Sequence, residues 1–301
     1  MVVCLGVVLR TGAPAWAQDQ PPPPASPPVP APAPAPPPVL EYNGKPLVTP
    51  FQCTVDDIQW AGLSCSDDDP CPIYLELTAV ESVGARIFAG GNIHSSAVTL
   101  YAILLASEDG GHTWREVHPR IRGAGLDHLQ FLDTDTGWAS GQVLFPLPQD
   151  PFLLLTTDGG KTWRQRPIFS ESRENRYGSI QQFVFSGKTS GSLIVDRGQG
   201  SDGDRYELYE SPDGGESWSI KATANKPLQL KRAPTPESDW RLRADGASQS
   251  FHIEGRKGDR WSSVGAFAVK LGICKTPQAA ETSPPPGTEG TAPPPIVKKQ
   301  R

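Results

Sequence analysis

The chain has 301 residues and a formal net charge of −5, with 33 prolines and 30 glycines. This acidic balance, without a basic stripe interleaved with aromatic residues, argues against a nucleic acid ligand. After the first residues no segment is apolar and long enough to cross a bilayer as a helix, so we expect no integral membrane span once the leader is cleaved.

The first 45 residues have the composition of a leader followed by a spacer. Residues 2–9 form a short apolar core, and Ala15 and Ala17 fit the small-x-small cleavage rule, so residues 1–17 are predicted to be a signal peptide. An uncleaved membrane anchor is the alternative. Residues 18–45 form a Pro/Ala-rich linker that favours an extended polyproline conformation. The protein is therefore predicted to be exported, to a periplasm or to the extracellular space.

Cysteine usage also indicates an oxidising compartment. Cleavage of the leader removes Cys4 and leaves four cysteines, Cys53, Cys65, Cys71 and Cys274. An even number in an exported protein argues for two disulfides, with three pairings open. We favour Cys65–Cys71, which closes an acidic loop, and Cys53–Cys274, which joins the two ends of the folded part. Neither pair has zinc-site spacing, and the Asp run at 67–69 fits a solvated turn better than a cation site, so no metal or cofactor is expected.

One eight-residue pattern, Ser/Thr-x-Asp-Gly-Gly-x-Thr/Ser-Trp, occurs three times, at residues 107–114, 156–163 and 211–218. A degenerate fourth copy ends at Trp261, and the successive Trp-to-Trp spacings are 49, 55 and 43 residues. Such a period is typical of a repeat array in which each repeat is one supersecondary unit. An apolar run precedes each copy and a short alternating run follows it, which predicts a hairpin around a tight Asp-Gly-Gly turn.

Each residue type of the pattern has a role in such a turn. Glycine accepts positive φ, the Asp carboxylate accepts backbone N–H groups, the hydroxyls tie the two sides together, and Trp covers the base of the hairpin. The residues assigned these structural roles are Ser107, Asp109, Gly111, Trp114, Thr156, Asp158, Gly160, Trp163, Ser211, Asp213, Gly215 and Trp218. None of these roles requires a substrate.

The pattern resembles the Asp-box, or BNR repeat, of sialidases and other β-propellers. Upstream of the second copy, Phe131, Asp133 and the Gly137-Trp138-Ala-Ser-Gly141 run resemble the repeat of the photosystem II assembly and stability factors, the Ycf48-like propellers. The resemblance covers residues 128–166 well and the other repeats in part. It implies a role in assembling or stabilising a protein complex.

The sequence predicts an all-β propeller with about four blades of four antiparallel strands over residues 46–275, and a disordered Pro-rich tail over 276–301. Residues 51–65 are expected to add a strand to the last blade. The predicted strands are 74–77, 86–89, 100–106 and 114–117 in blade one; 129–132, 138–141, 152–156 and 163–167 in blade two; 181–185, 192–195, 206–210 and 218–220 in blade three; and 239–242, 249–253 and 261–264 in blade four, whose first strand is not placed.

A binding surface is expected on the side away from the repeated turns. In such blades, the loops between second and third strands and those between blades share one face, and long loops on a rigid scaffold often carry binding sites. The candidate residues on this face are His94, Arg120, Arg122, Arg173, Glu174, Arg176, Tyr177 and Arg197. Arg120, Arg122, Arg173 and Arg176 would converge on an acidic partner or, alternatively, are scattered surface charges.

The resulting functional hypothesis is an exported, non-catalytic propeller that binds a protein partner. A sialidase-like glycoside hydrolase or carbohydrate-binding propeller is the first alternative, and a structural cell-surface module is the second. The Arg-Ile-Pro motif of sialidases is missing, because Arg86 and Ile87 are followed by Phe88. Tyr177 near Glu174 is the one local hint of a catalytic pair.

Overall fold

The computed structural model describes residues 37–145, 149–169, 177–199, 203–230 and 238–275. The predicted signal peptide and tail and most of the predicted linker lie outside these ranges, as do Arg173, Glu174 and Arg176. The described residues contain eighteen strands and one helix. In chain order they are β1 (Leu40–Glu41), α1 (Val55–Ala61), β2 (Cys71–Val83), β3 (Arg86–His94), β4 (Thr99–Ser107), β5 (Thr113–Glu116), β6 (Ile121–Arg122), β7 (Ala124–Phe131), β8 (Gly137–Val143), β9 (Gln149–Thr156), β10 (Arg164–Pro167), β11 (Ser179–Phe185), β12 (Gly191–Asp196), β13 (Tyr206–Ser211), β14 (Ser219–Ala224), β15 (Trp240–Asp245), β16 (Ser250–Lys257), β17 (Arg260–Ala268) and β18 (Lys270–Cys274).

Four antiparallel sheets form the blades of an all-β, four-bladed propeller, which confirms the predicted fold class. The first sheet has the order β1-β5-β4-β3-β2-β18, with β6 also paired to β4. The second and third sheets have four strands each, β10-β9-β8-β7 and β11-β12-β13-β14. The fourth sheet contains β15-β16-β17, so a fourth strand of this blade is not found within the described ranges.

A β-bulge recurs at the same place in the first strand of three blades. The register shifts at Thr78 in β2, at Asp127 in β7 and at Gln181 in β11. The Thr78 hydroxyl donates to the Gly90 carbonyl at 3.2 Å within its own blade and to the Leu126 carbonyl of the next blade. A bulge bends a strand and increases its twist, so its recurrence gives these three strands a common shape.

Aromatic side chains fill the spaces between blades. The Trp163 ring of blade two packs edge-on against Phe88 of blade one, with ring centres 6.0 Å apart. Trp138 of blade two stacks on Phe185 of blade three at 3.8 Å. Trp114 of blade one packs edge-on against Phe267 of blade four at 5.3 Å. Among the described residues the four sheets share no backbone ladder, so burial of these large apolar surfaces is the main contribution that holds neighbouring blades together.

The two ends of the folded part meet on the first and fourth blades. Leu47 forms a parallel bridge with Phe267, and β18 pairs with β2. Disulfides Cys53–Cys274 and Cys65–Cys71 are both present, which confirms the two favoured pairings. Strand β1 pairs with β5, so the folded part begins within the stretch that the sequence assigns to the linker.

Residues 51–65 do not form the expected strand, because Val55–Ala61 is the helix α1. Thr54 caps it: its hydroxyl accepts from the Asp57 N–H at 3.1 Å, and the Asp57 carboxylate accepts from the Thr54 N–H at 2.9 Å. Gly62 ends the helix in the left-handed conformation. This reciprocal capping stabilises seven residues that are too few to show a helical period. None of the described helical residues forms a segment long and apolar enough to span a membrane.

Candidate functional site

Because strands alternate in direction, each blade has two ends with different connections. The turns at 107–113, 156–162 and 211–217 lie at one end, which we call the turn face. The loops between second and third strands and the connections between blades lie at the other end, which we call the loop face. From the sequence, the residues of the turn face are predicted to have structural roles, and the loop face is predicted to carry the binding surface.

The first repeated turn is held by hydrogen bonds from its own residues. Asp109 Oδ1 accepts from the Thr113 N–H at 2.8 Å, and Oδ2 accepts from the Thr113 hydroxyl at 2.7 Å. The Ser107 hydroxyl donates to Asp109 Oδ1 at 2.9 Å and accepts from the Gly111 N–H at 2.8 Å. The Trp114 Nε1–H donates to the Gly111 carbonyl at 3.0 Å. The side chains of Ser107, Asp109, Thr113 and Trp114 thus find their hydrogen-bond partners within the turn.

The second and third turns repeat this arrangement. Asp158 and Asp213 accept from the N–H and hydroxyl of the residue four positions later, and Thr156 and Ser211 accept from the Gly160 and Gly215 N–H groups at 2.8 Å. Burial acts to raise the pKa of Asp158, but hydrogen bonds from Thr162 and Thr156 outweigh it and lower that pKa to about 2. The three turns are therefore equivalent structural units.

The third turn differs in its tryptophan. The Trp218 Nε1–H is buried without a hydrogen-bond partner, whereas the Trp163 Nε1–H donates to the Gly160 carbonyl at 3.1 Å. In the third turn, the carbonyl of Gly214, the first glycine of the motif, accepts from the Nε1–H of Trp138 in blade two at 2.9 Å. The turn face thus also connects neighbouring blades.

Two candidate arginines of the loop face bind the chain's own acidic groups. Arg120 forms a two-point ion pair with Glu116, with Nε 2.9 Å from one oxygen and Nη2 2.5 Å from the other, and donates to the Pro50 carbonyl at 2.6 Å. Its guanidinium also lies 5.7 Å from the centre of the Phe51 ring. Arg120 therefore anchors the segment that leads into α1.

Arg122 anchors α1 itself. Its guanidinium pairs with Asp56 and lies 4.9 Å from the centre of the Trp60 ring. Burial acts to raise the pKa of Asp57, but hydrogen bonds from Tyr101, Thr54 and Arg122 hold it below its usual value. α1 thus lies over the loop face beside blade one, where the acceptors for Arg120 and Arg122 are intramolecular.

His94 has a local role. Its Nδ1 lies 2.8 Å from the Ser95 carbonyl, and its ring lies 5.7 Å from that of Tyr74. Arg173, Glu174 and Arg176 fall outside the described residues, so their predicted convergence with Arg120 and Arg122 remains a prediction.

A cavity of about 390 Å³ opens on the loop face of blade three. It lies between the segment entering β11 and the loop that follows β12. Its lining residues are Tyr177, Gly178, Ser179, Asp196, Arg197, Gly198 and Gln199. The structure therefore brings together two predicted candidates, Tyr177 and Arg197, and adds three polar neighbours, Ser179, Asp196 and Gln199, that sequence reasoning did not select.

The charged groups beside this cavity differ in how many hydrogen-bond partners they have. Arg205 donates to both oxygens of Asp196, at 2.8 and 2.7 Å, and this pairing lowers the pKa of Asp196. Arg197 lies 5.2 Å from the centre of the Phe169 ring, with Nε 4.0 Å from Glu207. Arg197 Nη1 is buried without a hydrogen-bond partner. Asp196 is thus neutralised by one arginine, while the second arginine keeps unused donors.

A second acidic group lies where the first strands of blades one and two meet. Burial, together with the negative charge of Glu76, raises the pKa of Asp127 to about 6. Glu76 accepts a hydrogen bond from Asn92 at 3.2 Å. Sequence reasoning missed this pair because the bulge that places Asp127 there has no local signature. Within the described ranges, no group of three or more His, Cys, Asp or Glu side chains is arranged to hold a metal ion.

No protein-family model and no curated protein matches the sequence. Similar solved structures include the GH74 xyloglucanase from Xanthomonas campestris, with 18% identity over 62% of this chain and 25% of that one and a TM-score of 0.35. YCF48 from Cyanidioschyzon merolae shares 16% identity over 71% of this chain and 53% of that one, with a TM-score of 0.33. The α-L-arabinanase of Penicillium chrysogenum shares 13% identity over 66% and 62%, with a TM-score of 0.35. The chain spans less than two thirds of the length of each, and its fold assignment rests on its own strand pairing.

Proposed function

We propose that this protein is an exported, non-catalytic β-propeller that binds a protein partner through its loop face. The observation that carries the proposal is the difference between the two faces. On the turn face, the polar groups of Asp109 and its equivalents are used within the turns. On the loop face, Tyr177 and Arg197 line a cavity, and the buried Arg197 Nη1 has no hydrogen-bond partner among the described residues.

Export is supported by the two disulfides. Disulfides persist in oxidising compartments and are rare in the reducing cytosol. Cys53–Cys274 spans 221 residues of sequence, so it constrains the whole folded part. A protein held in this way is suited to a periplasm or the extracellular space.

Binding without catalysis is supported by the state of two described carboxylates of blade three. A sialidase-like site needs a tyrosine activated by a carboxylate and a second, free acid. Asp196 is held by Arg205, and Glu207 accepts from the Tyr209 hydroxyl at 2.7 Å. Both of these described acids are therefore held by neighbouring groups, while Glu174, the acid that the sequence places near Tyr177, lies outside the described residues.

Site-specific photo-crosslinking tests the proposal. Gln199 lines the cavity and Lys161 is exposed on the turn face, so each is replaced in turn by p-benzoylphenylalanine in a strain that exports the full chain. We expect a discrete protein adduct from position 199 and none from position 161 after irradiation. Equal adducts from both positions would contradict the proposal, as would hydrolysis of fluorogenic glycosides that Tyr177→Phe abolishes.

A further inference from the structure

The fourth blade has one strand fewer than the others within the described ranges, and the strand that it lacks there is the first. In blades one to three, the repeated turn joins the third strand to the fourth. The degenerate copy of this turn joins β16 to β17, so β15 is the second strand of its blade. The second strands β3, β8 and β12 are each paired on both sides, whereas β15 is paired with β16 alone among the described residues. We call its other side the open edge.

The register of β15 and β16 identifies the backbone groups on the open edge. The Arg256 N–H donates to the Asp239 carbonyl at 2.7 Å, so these two residues form a hydrogen-bonded pair. In an antiparallel ladder, such pairs alternate with pairs whose N–H and C=O groups point away from the partner strand. Leu242 and Ala244 belong to the second class, because they lie three and five residues after Asp239 without a register shift. Their N–H and C=O groups therefore have no partner within the described ranges.

These free groups lie in the half of β15 nearest the loop face. Ala244 is exposed and Leu242 is half-buried. At the other end of the strand, the Ser238 hydroxyl accepts from the Trp240 N–H at 3.2 Å, which closes the edge there. An unpaired strand edge is a template for another strand, and proteins normally cover or shorten such edges. The open edge is thus able to accept an added strand at the position of a first strand in the other blades.

The exposed charge beside the open edge is positive. Arg241 and Arg243 both donate to the carboxylate of Glu254, at 2.7 and 2.8 Å, and Arg243 also lies 3.3 Å from Asp245. The two arginine side chains are 46% and 41% exposed, whereas that of Glu254 is 9% exposed. Residues 239–275 contain seven Lys and Arg and four Asp and Glu, in a chain whose net charge is −5. This blade is therefore a basic part of an acidic protein.

The charges favour one kind of added strand over another. A second copy of this chain, paired edge to edge, would bring its own Arg241 and Arg243 close to those of the first, and like charges across a strand pair are destabilising. A strand with acidic side chains on that face would instead place carboxylates beside both guanidinium groups. Its opposite face would lie beside Leu242, so apolar residues should alternate with the acidic ones.

We propose that the open edge of β15 binds an extended acidic segment of a partner protein as an added antiparallel strand. The backbone of this segment pairs with Leu242 and Ala244, and its carboxylates lie beside Arg241 and Arg243. In this mode of recognition, main-chain hydrogen bonds supply affinity and alternate side chains supply specificity. The surface is separate from the cavity of blade three, so it adds a second contact to the binding role proposed for the loop face.

A labelled peptide of alternating glutamate and valine, titrated with the full exported chain and followed by fluorescence anisotropy, tests the backbone pairing. We expect a Kd below about 1 mM. The valines would lie opposite Leu242 and Ala244, so N-methylation of the valines should weaken binding at least about ten-fold through the loss of two hydrogen bonds. N-methylation of the glutamates, whose N–H groups point away from β15, is the matched control and should leave binding unchanged.

Variants of the protein test the same contacts from the other side. Ala244→Pro removes an N–H that points away from β16, so it should weaken the peptide about ten-fold while the thermal unfolding temperature changes little. Ala244→Ser keeps this N–H and should bind like the natural protein. Arg241→Gln should weaken binding several-fold. Arg115→Gln, at a surface arginine of blade one paired with Glu108 at 2.5 Å, should have no effect.

Four outcomes would overturn the proposal. They are no binding of the peptide, equal binding of the two N-methylated forms, an equal loss in Arg115→Gln and Arg241→Gln, and tighter binding of a peptide with lysine in place of glutamate. Dimerisation of the protein that Ala244→Pro abolishes would assign the open edge to a second copy and would also overturn it. Crosslinking from position 199 reports on the cavity of blade three, so it tests the proposed function independently of these results.

Discussion

The carboxylates of the repeated turns and the carboxylate of Asp127 belong to one propeller but have opposite environments. Asp109 and Asp158 receive backbone and hydroxyl hydrogen bonds, which outweigh burial and lower each pKa to about 2. Asp127 is buried beside Glu76, and its pKa is raised to about 6. The ionised form is therefore stabilised on the turn face and disfavoured between blades one and two. The difference shows that the hydrogen-bond donors around an aspartate decide whether its ionised carboxylate stabilises the fold.

The largest expected loss of stability comes from a substitution that distorts the first repeated turn, whose N–H and hydroxyl groups donate to Asp109. Gly111 has φ +102°, and a Cβ added there would lie 2.1 Å from the Val264 carbonyl oxygen of blade four. Gly111→Ala should therefore lower the free energy of unfolding by about 3 kcal/mol or more. Gly110 has φ +71° with no neighbour within 4 Å, so Gly110→Ala should cost about 1 kcal/mol. Urea unfolding of both variants measures the difference between their free energies of unfolding. Equal losses of stability in the two variants would contradict the packing role of Gly111.

The next prediction is a gain in stability, at the buried carboxylate of Asp127. The folded-state pKa of Asp127 lies above the unfolded value, so its ionisation destabilises the fold progressively as the pH rises from about 4 through 6. Asp127→Asn should raise the free energy of unfolding by about 2 kcal/mol at pH 7.5 and give little gain at pH 4. Thermal unfolding at both pH values is the measurement. A gain of the same size at pH 4 would point to packing instead of charge.

The smallest effect concerns one carboxylate of the turn face. The folded-state pKa of Asp158 lies below the unfolded value, so its contribution is present above about pH 4 and is lost as the pH falls through about 2. Asp158→Asn keeps an acceptor for the Thr162 N–H but removes the charge, and should cost about 1 kcal/mol at pH 7. Unfolding at pH 7 and pH 2.5 should show this cost shrinking. A cost independent of pH would contradict the electrostatic explanation.

The parts of the fold that repeat were predictable from the sequence. Three copies of one turn set the spacing of the strands, and an even number of cysteines at the ends of the array suggested both disulfides. The helix α1 was missed because seven residues are too few to show a period, although the Thr54 and Asp57 pair carries a capping signal.

The candidate site was predictable in part. Its location on the loop face follows from strand order, and the structure places Tyr177 and Arg197, both selected from the sequence, at one cavity. Their binding role stays a prediction. The partners of Arg122 could not be found, because Asp56 and Asp57 lie 66 and 65 residues earlier in the chain. Local sequence does not show which distant acid a loop arginine will meet.

The docking of α1 has a practical consequence for work with shortened versions of the protein. A version beginning after residue 64 would lack Asp56 and the ring of Trp60, leaving the guanidinium of Arg122 bare on the surface, and would lose the Cys53 half of its longer crosslink. The surface of such a preparation would carry an artificial cationic patch. An acidic molecule that bound there in an affinity experiment would occupy the place of the protein's own helix α1.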